Sequence, residues 1–172
     1  MLKTPIRFHF ITNWELPTMV GEVYPIIKDS SRLSEWWPSV YLEVKTIKDG
    51  NTSGIGKIVS LYTKGYLPYT LRWTFEVMEV ITNEKIALRA FGDLNGKGVW
   101  TFKQEGKICK VSYDWDISFD KPYLSKLTCL LRPIFSFNHK WAMKRGLESL
   151  QLEIRRKRGE QNVPTPPPAV WI

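Results

Sequence analysis

Histidine is the side chain most ready to exchange a proton near neutral pH, and this chain has two, His9 and His139, one toward each end. His9 falls on the polar side of an alternating segment. His139 follows Asn138, which interrupts an apolar helical stripe, and points about 100 degrees away from it, toward Phe135 and Ala142. That placement describes a satisfied structural histidine better than a catalytic one. Asn138 either hydrogen-bonds a ligand or satisfies a buried backbone group. Tyr62, Tyr66 and Tyr113 carry hydroxyls that could orient a carbonyl. Arg72 and Arg89 take the polar faces of their strands and are expected to pair with carboxylates such as Glu76 or Asp114, away from any pocket. Catalysis by these groups would be positional, with Tyr113, Asn138 or Arg72 polarising carbonyls and enolates. No nucleophile elbow, phosphate loop or dinucleotide fingerprint is present, and Gly54-Ile55-Gly56 and Gly96-Lys97-Gly98 fit hairpin turns. Cys109 and Cys129 sit in apolar patterns without metal-ligand spacing, as reduced, buried thiols do. No metal and no cofactor is called for.

The elements that would position these groups follow from periodicity. Ile6, Phe8, Phe10 and Trp14 alternate with polar residues as a half-buried strand over residues 4–14. A short helix follows from Pro17, with an early break or kink expected at Pro25, and then a second over residues 31–36, capped by Ser30 or Ser31 and ended by Pro38. Six strands come next, over residues 40–48, 56–64, 69–81, 85–91, 99–104 and 108–119, separated by short turns that include residues 92–96. Such spacing describes an antiparallel meander. After Pro122 the period becomes helical, with Pro133 as a break or a first-turn residue. From residue 133 to residue 158 such a helix spans about 39 Å, against about 34 Å for seven strands side by side. One helix about 10 Å wide cannot fill the trough of that sheet, and the space left is an apolar cavity.

The 172 residues carry 25 Lys plus Arg against 17 Asp plus Glu, a net charge of +8, with 43% hydrophobic residues. One globular domain over residues 1–158 is expected, with a Pro-rich tail over residues 159–172. Nothing resembling a nucleic-acid-binding motif accompanies the charge. Arg155, Arg156, Lys157 and Arg158 close the long helix, where cations complement its dipole; their alternative role is peripheral contact with an anionic membrane. No targeting segment and no membrane span is read in the sequence, so a cytoplasmic protein is expected.

Trp36-Trp37-Pro38, residues 65–73 (GYLPYTLRW), residues 92–100 (GDLNGKGVW), Tyr113-Asp114-Trp115 and residues 138–143 (NHKWAM) resemble the SRPBCC superfamily, which includes the START lipid-transfer domains. Its bacterial polyketide cyclase/dehydrase-like branch is the part most similar, over residues 4–154. The resemblance implies an α+β helix-grip fold, with a curved seven-stranded antiparallel sheet around a long C-terminal helix and a deep hydrophobic pocket between them. Strand parity assigns Phe8, Phe10, Trp73, Phe75, Leu88, Trp100, Phe102, Tyr113, Trp115 and Ile117 to that pocket. Leu127, Leu131, Ile134, Asn138 and Trp141 are expected over them on the helix. Three roles stay open: a binding or transport protein for a hydrophobic molecule such as a lipid, isoprenoid or aromatic metabolite; a cyclase, aromatase or dehydratase; or an interaction module whose pocket has collapsed onto its own aromatics. The glycine-rich stretches 50–56 and 92–98 are the expected gates.

Overall fold

The computed structural model describes residues 6–119 and 128–171. The first strand, β1 (Ile6–Leu16), leads into α1 (Val20–Lys28), a single 3-10 turn (Ser30–Arg32) and α2 (Leu33–Trp36). Six strands follow: β2 (Tyr41–Lys48), β3 (Ile58–Lys64), β4 (Thr70–Ile81), β5 (Lys85–Gly92), β6 (Asn95–Glu105) and β7 (Ile108–Phe119). A long helix, α3 (Thr128–Lys157), follows the strands. The strands form one curved antiparallel sheet in the order β1-β7-β6-β5-β4-β3-β2, so the first strand closes against the last. This is the helix-grip arrangement.

The inner face of the sheet follows from alternation. On β7 the side chains of Cys109, Val111, Tyr113, Trp115, Ile117 and Phe119 are buried, and the residues between them face outward. Outside, Arg7 pairs with Asp116 at 2.7 Å, His9 with Asp114 at 2.9 Å and Arg89 with Glu76 at 3.3 Å. Among the described residues Arg72 makes no such pair, because Glu76 faces Arg89 across the β4/β5 register and Asp114 is taken by His9. Its guanidinium lies instead 4.0 Å from the Tyr62 ring centre.

Four local expectations are corrected. The helix α1 continues three residues beyond Pro25, at the loss of one backbone hydrogen bond. No side chain caps α2; its N-cap is Arg32, and Ser31 bonds Asp29. Neither does Pro133 begin or break α3, which already runs from Thr128. Finally, β6 begins at Asn95, so Gly96 and Gly98 are strand residues. A Cβ on Gly96 would meet the Asp116 carbonyl oxygen, and one on Gly98 would lie 2.8 Å from the Tyr113 hydroxyl and 2.9 Å from the Trp115 ring. These glycines make room for β7, and the hairpin turn is confined to Asp93 and Leu94.

The end of α3 is held at both sides. Gly159, at φ +77°, donates its N–H to Arg156 O, and the Glu160 N–H reaches Arg155 O, the Schellman closure. Arg158 binds Glu22 at 2.6 and 2.9 Å and Thr18 at 2.8 Å, joining α3 to α1. The chain then turns back beside α3, where Arg156 reaches Pro164 O at 3.5 Å and Trp171 covers Lys64, its ring centre 5.4 Å from Nζ.

Candidate functional site

Tryptophans on neighbouring strands build the wall of the site. Trp100 stacks on Tyr113 at 4.0 Å between ring centres, Tyr113 on Trp115 at 5.4 Å, and Trp115 meets Trp73 at 5.6 Å. The row can lie flat across β6 because Gly98 presents no side chain beneath it. Opposite, Trp37 is laid against Gly146 of α3, where any Cβ would collide with the indole.

Two cavities remain between these walls. One, of about 120 Å³, is partly open and lies between the inner sheet face, Gly65 and Tyr69, and α3; it is lined by Phe10, Trp37, Tyr41, Thr63, Lys64, Tyr69, Leu94, Trp115, Phe135, Asn138, His139 and Met143 among others. The second, of about 50 Å³, lies deeper, under Ile27, Leu33 and Trp36, against Phe75, Leu88 and Trp100. Trp37, Tyr41, Trp73 and Tyr113 line both and form the partition. The larger hollow of about 620 Å³ is an outer groove between the C-terminal half of α3 and Pro164 to Pro167, open to solvent and without a constellation of reactive groups.

Of the residues assigned by parity, Phe10, Trp73, Tyr113, Trp115, Ile117 and Asn138 line the first cavity, and Phe75, Leu88 and Trp100 the second. Five others line neither. Phe8 packs against Phe10, Phe119 and Phe135, and Phe102 meets Tyr24 of α1 edge-on. Ile134 is exposed, Leu131 is half-buried, and Trp141 sits beside Tyr66 outside the cavity. Leu127 lies outside the described residues. The helical stripe on the cavity is Phe135, Asn138, His139, Ala142 and Met143, rotated from the expected one. Tyr62 and Tyr66 also face away, while Tyr41 and Tyr69, which the sequence does not single out, line the cavity. Residues 50–56 lie by α1, and of the stretch 92–98 only Leu94 reaches the cavity, whose border is instead residues 65–69.

That border is stapled by hydrogen bonds. Asn138 Oδ1 accepts the Leu67 N–H at 3.1 Å, and its Nδ2 donates to the Tyr69 hydroxyl at 3.3 Å. Lys64, 3% exposed, donates from Nζ to the carbonyls of Gly65, Tyr66 and Leu67 at 3.2, 3.4 and 2.8 Å. Burial holds its ammonium below the ordinary lysine value. Gly65 is required here, since a Cβ would run into the Asn138 amide.

The remaining polar groups face inward. Trp73 Nε1 donates to Thr63 Oγ1 at 3.0 Å. His139 stacks on Phe10 at 4.3 Å and brings Nε2 to 3.3 Å from Thr12 Oγ1; burial pushes its pKa down to about 4, so the ring is neutral at pH 7. Burial raises the phenols of Tyr41 and Tyr113 above the ordinary tyrosine value, which keeps both protonated. Both residues line the cavity, and among the described residues neither hydroxyl has a hydrogen-bond partner; Trp37 Nε1, which is buried, has none either. The arrangement is an aromatic slot with uncommitted donors and one neutral imidazole.

The sequence profile described as polyketide cyclase / dehydrase and lipid transport matches residues 16–135. The chain belongs to this family. None of the curated proteins compared with this polyketide cyclase/dehydrase family member matches it. Among solved structures, the Zhui aromatase/cyclase from Streptomyces sp. R1128 superposes with a TM-score of 0.72 at 14% identity, over 91% of this chain and 99% of that one. The protein TTHA0849 from Thermus thermophilus gives 0.66 at 18%, over 87% and 95%. A norcoclaurine synthase point mutant from Thalictrum flavum, in complex with a transition-state analogue, gives 0.64 at 13%, over 90% and 98%. At these identities the likeness establishes the helix-grip fold. No helix among the described residues is long and apolar enough to cross a membrane.

Proposed function

We propose that this chain binds, in the cytoplasm, a flat hydrophobic small molecule bearing a carbonyl or a similar acceptor, in the slot between the sheet and α3. The observation that carries the reading is the pair of protonated, unpartnered phenols, Tyr41 and Tyr113, in a wall otherwise made of aromatic rings. Both residues line the slot, so a ligand acceptor placed there can take up hydrogen bonds that no group of the described residues accepts. The family's description includes lipid transport, and two of the neighbours are named as an aromatase/cyclase and a norcoclaurine synthase, which favours ligands of aromatic, polyketide-like or lipid character. Small-molecule sites hold about 300–1,000 Å³, so the bound form is wider than the 120 Å³ seen here.

The second reading is a cyclase, aromatase or dehydratase, and it rests on His139. A neutral imidazole in the same slot can accept a proton from a carbon activated by a carbonyl, while Tyr41 and Tyr113 hydrogen-bond the resulting enolate.

Native mass spectrometry of gently purified protein, with extraction of what co-purifies, tests the binding reading. Tyr41→Phe and Tyr113→Phe are each expected to weaken the identified ligand about tenfold without lowering thermal stability. Unchanged affinity in both would overturn the role of the phenols. If His139→Gln leaves affinity intact but abolishes conversion of the ligand, the protein is an enzyme; if no conversion occurs in the wild type, it is a carrier.

A further inference from the structure

The helix α3 is apolar on two sides. One side lines the cavity. The other carries Ile134, 39% exposed, and Phe137, 51% exposed, with Trp141 between that stripe and the neighbouring loop. Tyr66 extends it, its ring 5.5 Å from Phe137 and 5.8 Å from Trp141, and Trp171, 68% exposed, stands over Lys64 next to the same loop. Phe137, Lys140, Trp141 and Lys144 follow at the i, i+3, i+4, i+7 spacing that aligns side chains on one helix face.

The charge on this half of the helix is all of one sign. Residues 128–147 contain four cations, Arg132, Lys140, Lys144 and Arg145, and no acid. Lys140 and Lys144 are exposed and have no carboxylate partner among the described residues; Arg145 pairs with Glu148 at 2.8 Å. The basic run at the other end differs. Arg155 is held by Glu160, Arg156 by Glu153 and Arg158 by Glu22, so the cluster expected to meet a membrane is largely neutralised within the fold.

We propose that the face formed by Tyr66, Phe137, Trp141 and Trp171 with Lys140 and Lys144 docks on the surface of a bilayer containing anionic lipid. Aromatic rings settle at headgroup level, where one edge is dry and the other wet. Lysines beside them meet the lipid phosphates, and binding by this combination scales with both buried apolar area and surface charge. A protein partner would need acids placed opposite two exposed lysines; a bilayer presents anionic groups everywhere along the stripe. Docking depends on this face alone and stands whether or not the cavity takes a ligand.

The test is flotation of the full chain with phosphatidylcholine vesicles, with and without phosphatidylserine, across a salt series. The wild type is expected to float with the phosphatidylserine vesicles at low salt and to release as salt rises. Replacing both Lys140 and Lys144 by Gln should lower partitioning about 25-fold, fivefold for each charge, and Phe137→Ser should lower it at constant charge. The pair Arg155→Gln and Arg156→Gln should leave it unchanged. Phe137, Lys140 and Lys144 are exposed, whereas Arg155 and Arg156 are half-buried and paired with Glu160 and Glu153, so thermal melts serve to confirm folding of every variant. Absence of flotation, or loss only in the Arg155 and Arg156 variant, would overturn the proposal. So would a concentration-dependent dimer without vesicles that Phe137→Ser dissociates, since the face would then belong to a second copy of the chain.

Discussion

Replacing Gly146 by alanine sets two effects of opposite sign against each other. In a helix interior the exchange is favourable by about 1 kcal/mol. At Gly146 the new Cβ would lie 2.6 Å from both Cε2 and Cη2 of Trp37, and closer still to Cζ2. Trp37 is packed by Trp14, Trp36 and Tyr41, so the indole can yield only toward the two cavities it lines. Forcing an extra carbon into such a contact costs about 1–3 kcal/mol. Gly21 in α1 supplies the comparison, because a Cβ there meets nothing within 4 Å and the helical gain is kept. The difference between Gly146→Ala and Gly21→Ala is then chiefly the cost of the collision, Gly21 standing in the first turn of α1 where the helical gain is smaller. For a chain of this size it amounts to about 2–12 °C in melting temperature, with Gly146→Ala the lower. Thermal unfolding followed by circular dichroism measures it, and a Gly146→Ala protein melting at or above Gly21→Ala would refute the contact. The same variant should narrow the slot and weaken any ligand found there, since Trp37 moves into it.

Three further outcomes follow from individual groups. Burial lowers the His139 pKa to about 4, so the unfolded chain takes up a proton in a pH window where the folded one does not. Stability is therefore full above the unfolded value and falls as the pH drops through that window, by at most about 3 kcal/mol. Urea midpoints between pH 7 and pH 4 should lose this slope in His139→Gln, and equal slopes would contradict it. Asn138→Ala leaves the Leu67 N–H and the Tyr69 hydroxyl without a partner; it should cost about 1–3 kcal/mol and speed hydrogen exchange at Leu67, which unchanged exchange would rule out. The Glu22 carboxyl, held down to about 2 chiefly by Arg158 and then by Thr18, should titrate closer to an ordinary carboxylate in Arg158→Gln. A pH titration of Glu22 by NMR reads this directly, and a value still near that of the wild type would assign the effect to Thr18.

Strand faces are legible in the sequence because side-chain alternation leaves no freedom. All ten strand residues assigned to the pocket lie on the inner side or beside it, and the seven-strand order with one long helix follows from period and turns. Parity fails where strands are irregular. Tyr41 adjoins the register shift between Tyr41 and Glu43, where alternation breaks down; Tyr69 shares the parity of Trp73 and Phe75 and so could have been assigned with them, although it stands just before β4. Glycine misleads for a different reason. Gly96 and Gly98 look like turn residues along the chain, and only the approach of Asp116, Tyr113 and Trp115 from β7 shows why strand positions need them. The phase of α3 escapes periodicity because the helix has two apolar stripes of similar strength. Ile134 and Trp141 belong to the outer one, and nothing local to the helix says which stripe meets the sheet.

That ambiguity and the small cavity bear on the same motion. Seven continuous strands share backbone ladders from β1 to β2, so widening the slot by opening the sheet would break many hydrogen bonds at once. On the other wall, residues 65–69 are attached to α3 by the Asn138 amide and to β3 by the Lys64 ammonium, and few bonds need to change for them to swing outward. Opening there would lift Tyr66 and Leu67 away from α3 and bare Phe135 and Met143 to the surroundings. In water that exposure is unfavourable in proportion to the apolar area uncovered. Against a bilayer the same rings would meet headgroups and acyl chains, and the cost of opening would fall. A slot that widens at its lipid-facing border would admit a hydrophobic ligand without passing it through water, and this unites the exposed stripe of α3, the stapled loop and the unpartnered phenols behind it in one sequence of events.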